Sequence, residues 1–193
     1  MNLIDKFHHW RRKLRWNKQY KSGRWESLQS EKEIGRYHQI VSYIDEFGPK
    51  NPSILDIGCG DGVLNLRMDQ LDYSYFLGVD FSKVSIEKAK KKNFPKSEFI
   101  AADAIHFSPG RSFDAIVFNE AFYYIHDSEK QNVLDRMLEY LNEEGVMIIS
   151  IYREGTGCWE YFKENPKLRE LAFTKVTTDE ELRYWKIGVY KKT

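Results

Sequence analysis

The chain has 193 residues, enough for one domain with a sizeable core. Hydrophobic residues at 41% and charged residues at 31% exclude a disordered or collagen-like chain, and a net charge of +1 excludes a uniformly basic or acidic surface. No apolar run is long enough to span a bilayer, so no membrane association is expected. The two cysteines, Cys59 and Cys158, form neither a zinc-type spacing nor a disulfide framework. That points to a reduced, cytoplasmic protein without a metal site. Met1 to Trp16 has charges and aromatics but no continuous apolar core, so it does not read as a secretory signal.

The first 35 residues read as a helical arm. Up to Trp25 there are eight Lys/Arg against the single acid Asp5, interleaved with Trp10, Trp16, Tyr20 and Trp25. Leu3, Phe7, Trp10 and Leu14 recur at helical spacing, which predicts a helix to about Lys18, broken at Ser22-Gly23. The plain reading packs this aromatic side on the domain and leaves the cations in water. The sharper readings are a lid that attracts a small anionic substrate, or a nucleic-acid contact. A second helix is predicted from Glu31 to Phe47. A Ser30/Glu33 capping box opens it, Tyr37, Ile40, Val41, Ile44 and Phe47 share one face, and Gly48-Pro49 ends it. Arg36 and His38 lie off that face, available to solvent or to a site.

Ser53 to Ile57 is a short apolar run that fits a strand buried on both faces. Gly58, Gly60 and Gly62 follow at once. Three glycines in five residues imply backbone angles that other residues avoid and a surface bare enough for a ligand. Asp61 is placed to cap a helix running to about Gln70. Further strands are predicted at Tyr75 to Val79, Glu98 to Ala101, Phe113 to Phe118 and Gly145 to Ile151. Helices lie between them, one capped by Ser82 and one opened by a Ser128/Gln131 capping box. This alternation means a parallel sheet with helices on both faces, whose ligands bind beyond the carboxyl ends of the strands. Those ends carry Asp56, Asp80, Asp103 and Asn119-Glu120. Asp114, at a strand start, reads as structural.

An acid at Asp80, ending the second strand, can accept both hydroxyls of a ribose. Nicotinamide or flavin binding is the rival. Against it, the Gly-x-Gly-x-x-Gly pattern fails, because Val63 stands at its last position.

The strand and turn Ser53 to Gly62, then Leu77-Gly78-Val79-Asp80-Phe81-Ser82, Ala101-Ala102-Asp103-Ala104 and Phe113-Asp114-Ala115-Ile116-Val117 resemble class I S-adenosylmethionine-dependent methyltransferases across residues 52 to 152. The resemblance implies an α/β fold: a Rossmann-like doubly wound sheet of seven strands, mostly parallel, with an antiparallel C-terminal hairpin strand beside the fifth. Glu170 to Val176 and Arg183 to Tyr190 fit that hairpin. It also implies the cofactor S-adenosyl-L-methionine. Asp56, Gly58, Cys59 and Gly60 would lie under its methionine part, Asp80 on the ribose, Phe81, Asp103 and Ala104 around the adenine, and Asn119 beside the amine and sulfonium.

In such enzymes the segment after the fourth strand is where acceptor and methyl meet. Here it is Glu120-Ala121-Phe122-Tyr123-Tyr124-Ile125-His126. Imidazole titrates near neutrality, which makes His126 a candidate base. Glu120 could orient a hydroxyl or amine, and Tyr123 or Tyr124 could face the sulfonium. Against these stand plain roles: a core tyrosine and a histidine preceding a helix. Asn119 is not followed by Pro-Pro-Tyr, which in the family marks methylation of adenine or of protein glutamine. Tyr20, Trp25, Tyr37, Tyr124 and Trp159 are candidate acceptor contacts. The arm loosely resembles that of small bacterial enzymes acting on metabolites or saccharides, and the Glu120 segment that of nodulation-type saccharide N-methyltransferases.

The expectation is one methyltransferase domain over 1–193, with an arm or lid (1–35), a cofactor core (36–152) and an acceptor-side loop with a hairpin (153–193). It would methylate oxygen or nitrogen of a small, anionic or saccharide-type metabolite without a metal. The alternatives are an RNA methyltransferase using the basic arm and a non-catalytic cofactor-binding or scaffold protein.

Overall fold

The computed structural model describes residues 3–155 and 157–193. Its centre is β1 (Ser53–Ile57), all five residues of which are buried. The strands β2 (Tyr75–Asp80), β3 (Ser97–Ala101), β4 (Phe113–Asn119) and β5 (Leu141–Tyr152) run parallel to it. The hairpin β6 (Leu168–Thr177) and β7 (Tyr184–Lys192) closes one edge, with β7 antiparallel to β5. The strand order is β3-β2-β1-β4-β5-β7-β6. This is the seven-stranded, mostly parallel sheet that the family resemblance implied.

Alternate residues of β1 serve opposite layers. Leu55 and Ile57 face a core with Val133, Leu134 and Met137 of α5 (Asp127–Glu139) and Phe162 of α6 (Glu160–Lys163). Ile54 faces the other layer. It packs with Tyr37, Ile40 and Ile44 of α2 (Glu31–Phe47), Leu64 of α3 (Val63–Leu66), and Ile86 and Ala89 of α4 (Lys83–Lys91). The arm, α1 (Leu3–Lys21), lies against α4 and continues through a 3₁₀ turn at Arg24–Gln29.

Four local expectations change. α3 is one turn rather than a helix from Asp61 to Gln70. Past it the chain bends in i→i+3 turns that bring Met68, Leu71 and Tyr73 into the core. Gly62, in a left-handed conformation, caps α3, while the Asp61 carboxylate accepts bonds from Gln29 and Lys92. Neither half of the Ser30/Glu33 capping box forms: the Glu33 N–H donates to the Ser30 carbonyl (3.1 Å) rather than to its hydroxyl, and the Glu33 carboxylate binds two guanidiniums, stronger partners than the Ser30 N–H, which donates to the Ser27 carbonyl. α5 begins after His126, whose Nδ1 accepts from the Ser128 backbone N–H at 3.3 Å, so the cap is an imidazole and not the Ser128 hydroxyl.

Asp114 has the structural role expected of it. Its carboxylate accepts from the Ser53 N–H (2.8 Å), the Ser53 hydroxyl (2.7 Å) and the Asn142 amide (2.7 Å), tying the starts of β1, β4 and β5. Burial raises its pKa, but these donors outweigh that and leave it below the ordinary value. Asp114→Ala strands three donors and should cost about 1–3 kcal/mol of stability, measured by urea unfolding. The same stabilisation should be present in wild type above the ordinary carboxylate range and be lost as pH falls through the depressed Asp114 value.

Candidate active site

The sheet reverses strand order between β1 and β4, and a ligand crevice opens at such a point. A cavity of about 380 Å³, on the scale of small-molecule sites, occupies it. One wall is the glycine turn. Gly58 and Gly60 have φ of 81° and 56°. A Cβ at Gly58 would stand 2.4 Å from Ala121 Cβ, and one at Gly60 2.5 Å from the Tyr20 hydroxyl, so only glycine permits both the backbone angles and the close approach.

The carboxylates at the strand tips are held in unlike ways. Asp80 accepts from the Gly60 N–H (3.1 Å) and the Ser82 N–H (2.7 Å). Burial nevertheless pushes its pKa up to about 6. Asp56 is fully enclosed. Burial, and then the nearby Asp80, push it up to about 8, and its Oδ1 has no hydrogen-bond partner among the described residues. Burial also acts to raise Asp103, but the bond from His9 of the arm and the Ile105 N–H (3.0 Å) outweigh it and leave Asp103 low.

The arm roofs the cavity with one face. His9 reaches Asp103, Arg12 donates to the Tyr124 carbonyl, and the Ser82 hydroxyl donates to Asn17 (2.7 Å). Trp16 and Trp25 stack at 4.7 Å, with Tyr20 beside them. The inward face is thus His9, Arg12, Trp16 and Tyr20. The expected apolar face, Phe7, Trp10 and Leu14, is turned outward and exposed. The reason is that the crevice rim offers Asp103, Phe81 and Tyr124 as partners for polar and aromatic groups. The Leu3 side chain lies outside the described residues.

At the other end stands a polar cluster that sequence reading did not assemble. Arg36 is only 1% exposed. It donates to Asn119 Oδ1 (2.8 Å), Glu33 (2.8 Å) and the Tyr37 hydroxyl (3.0 Å), and it lies over the rings of Tyr37 and Trp185. Its Nε has no partner among the described residues. Glu33 also accepts from Arg183 (2.9 Å) in the β6–β7 turn. Glu120, just past β4, has φ 58°, a strained conformation for a residue with a side chain. It accepts from Tyr123 (2.8 Å), Ser150 (3.1 Å) and the Tyr152 N–H (3.2 Å), and burial pushes its pKa up to about 7.

Of the residues singled out from sequence, Asp56, Gly58, Cys59, Gly60, Asp80, Phe81, Asp103, Ala104, Asn119, Glu120, Tyr123, Tyr124, Tyr20, Trp25 and Tyr37 all line this cavity. Two do not. His126 is occupied as the α5 cap, with its Nε2 3.7 Å from Asp5. Trp159 packs on Phe173 and Phe162 in the core. From sequence Arg36 lies off the apolar stripe of its helix and Arg183 opens a hairpin strand, and neither is singled out there as a site residue. The i, i+3 spacing of Glu33 and Arg36 was the available signal.

Unpartnered Asp56 Oδ1 and Arg36 Nε, a bare glycine turn and the enclosed Asp80 carboxylate leave hydrogen-bonding capacity in the cavity lining for a ligand. The family model described as "Methyltransferase domain" matches residues 49–187. The chain belongs to the methyltransferase domain family. Curated relatives of this chain include the ubiquinone biosynthesis O-methyltransferase of Pelagibacter ubique, 29% identical over 144 residues, covering 73% of this chain and 54% of the relative. Another is malonyl-[acyl-carrier protein] O-methyltransferase 1 of Ilyobacter polytropus, 28% identical over 138 residues, covering 70% and 47%. The chain therefore spans about half the length of these curated relatives.

Among solved structures, the N-methyltransferase NodS of Bradyrhizobium japonicum with S-adenosyl-L-homocysteine superposes with a TM-score of 0.72 at 18% identity, covering 87% of this chain and 91% of that one. The 1,6-didemethyltoxoflavin-N1-methyltransferase of Burkholderia thailandensis gives 0.76 at 15% identity, covering 96% and 90%. These likenesses show the fold. The methyl donor of the family is S-adenosylmethionine, and the residues present fit it. No helix among the described residues is long and apolar enough to cross a membrane, and no His/Cys/Asp/Glu group among them could hold a metal.

Because Asp56 is raised, the folded chain holds that proton more tightly than the unfolded chain. The associated stability is full below the ordinary carboxylate range and is lost as pH rises through about 8. Asp56→Asn should remove this dependence and stabilise the ligand-free protein by at least about 1 kcal/mol at pH 8. Thermal unfolding of both proteins across pH 5–9 on the order of one-unit steps measures it.

Proposed function

We propose that this chain transfers a methyl group from S-adenosylmethionine to an oxygen or nitrogen of a small acceptor, with Glu120 taking the acceptor's proton. The observation that carries the reading is Glu120 itself: buried in the cavity, held in a strained backbone conformation beside Asn119, and raised to about 7. A base poised near the working pH is the arrangement that general base catalysis favours.

S-adenosylmethionine, when bound, supplies an electrophilic methyl on a sulfonium. Asp80 would hold the ribose hydroxyls, Phe81 and Ala104 the adenine, and Asp103 its edge in place of His9. Gly58, Gly60 and Asp56 would underlie the amino-acid end, with Asn119 and the free Arg36 Nε facing its amine and carboxylate. Glu120 would accept the proton from the attacking hydroxyl or amine, and Tyr123 would hold the carboxylate in place. Tyr152, Trp185, Leu28 and Arg183 line the remaining end and would contact the acceptor. The roofed cavity supports a small molecule over a folded RNA, and the cationic Arg183 supports an acceptor with an anionic or hydroxyl-rich part. The one-domain division into arm, core and hairpin, and a cytoplasmic setting, belong to the same reading.

The test is transfer of labelled methyl from S-adenosylmethionine into a panel of small acceptors, against RNA. Transfer to RNA alone, or to nothing, would overturn it. With an acceptor in hand, kcat should rise with pH to a plateau above about 7, because the ionised Glu120 is the active form. Glu120→Gln should abolish that limb and lower kcat by about 10²-fold or more. Asp80→Ala should weaken donor binding by at least about tenfold in calorimetry, while His126→Ala should leave the pH profile unchanged.

A further inference from the structure

Among the described residues, the outward face of α1 packs against no other element of the fold. Phe7, Trp10 and Leu14 are 54%, 54% and 50% exposed, a density of large apolar side chains found nowhere else on the described surface. At 3.6 residues per turn these three fall on one line with Lys18 and Lys21, and Arg11 and Arg15 lie along its side. All four cations are exposed. Residues 6 to 25 contain no acid, so none of these four cations has a carboxylate within one turn of it on the helix. The inward face is already committed to the crevice through His9, Arg12, Asn17 and Tyr20, so the helix cannot roll to bury the outer stripe without giving up those bonds.

We propose that this outer face docks on an anionic lipid surface. An in-plane helix at a membrane presents a tryptophan- and phenylalanine-bearing apolar line to the headgroup boundary and keeps lysine and arginine level with the headgroups, which is the arrangement here. The charge complement is an anionic surface. Two features favour lipid over nucleic acid. Phe7 and Trp10 stack on one another, centroids 5.9 Å apart and planes 29° apart, and Arg11 lies over Phe7, so the ring faces that bases would need are already covered. Leu14, in the middle of the stripe, has no use in base stacking but is suited to acyl chains. The contact is peripheral and needs no spanning helix, and no helix among the described residues is long and apolar enough to be one. It corrects the sequence-based expectation that this face would be buried against the domain.

The purified full chain is sedimented with vesicles of phosphatidylcholine and phosphatidylglycerol in equal parts, and with pure phosphatidylcholine. Binding to the anionic vesicles should be at least about tenfold tighter, and should weaken in roughly 0.5 M salt. Two combined variants, F7S/W10S/L14S and R11Q/R15Q/K18Q/K21Q, should each lose about tenfold or more. Both should still bind S-adenosylmethionine in calorimetry, which confirms folding, because none of these side chains lines the cavity. Leu14→Lys adds charge while removing apolar surface, so it should also weaken binding; tighter binding would show simple charge attraction and overturn the proposal. It is equally overturned if the wild type stays in the supernatant with anionic vesicles. A dimer in sedimentation that F7S/W10S/L14S dissolves, with no vesicle binding, would assign the face to a second copy. Salt-sensitive retention of single-stranded RNA without vesicle binding would assign it to nucleic acid. No acceptor is needed, so the outcome is separable from that of the methyl-transfer assay.

Discussion

A guanidinium buried at the carboxyl edge of the sheet sets the terms for everything around it. A charge out of water is tolerated only where other groups replace its hydration, and Arg36 has Glu33, Tyr37 and Asn119 for that purpose, with Trp185 beneath it. Each partner belongs to something the site needs. Glu33 carries the tie on to Arg183 and so to the hairpin. Asn119 is the tip of β4, and the next residue is the strained Glu120. The helix, the hairpin and the strand tip are thereby held to one another at the point where donor and acceptor would meet. Removing one partner alone would leave a buried charge uncompensated, which is far more damaging than losing an ordinary surface pair.

The half of the cavity built from the glycine turn and the strand tips was legible in the sequence because its signals are local. Glycine at left-handed positions, a short apolar strand and an acid at its tip are each encoded within a few residues, and Asp56, Asp80 and Asn119 stand where strand ends were expected. The order of the strands came from the family resemblance, since nothing in the alternation alone says that β7 inserts between β5 and β6. Legibility failed where a side chain had two suitors. Glu33 has the spacing of a capping box, but two arginines far apart in sequence compete for it. Ser128 has the same spacing, but the imidazole two residues before it takes the N–H. Both outcomes depend on what the folded chain brings close.

The arm is the clearest case of an ambiguous pattern. Periodicity identifies an apolar stripe and cannot say whether that stripe finds a core. In α1 the polar and aromatic residues at 9, 12, 16 and 20 have specific partners on the crevice rim, and those outweigh the generic gain from burying Phe7, Trp10 and Leu14. Directional bonds to a preformed rim decided which way the helix turned.

The ionic chain through Glu33 has a consequence for the chemistry of whatever enters. The chain Lys32–Glu180–Arg183–Glu33–Arg36 sets three cations against two carboxylates and so leaves a single positive charge beside Glu120, which an ionised Glu120 would cancel. The proton on Glu120 is therefore answerable to its guest. A guest bringing a negative charge favours the protonated form, whereas a cationic guest favours the carboxylate. The basicity of the cavity is set by its guest as well as by its walls: each molecule that binds moves Glu120 away from the value that those walls alone give it.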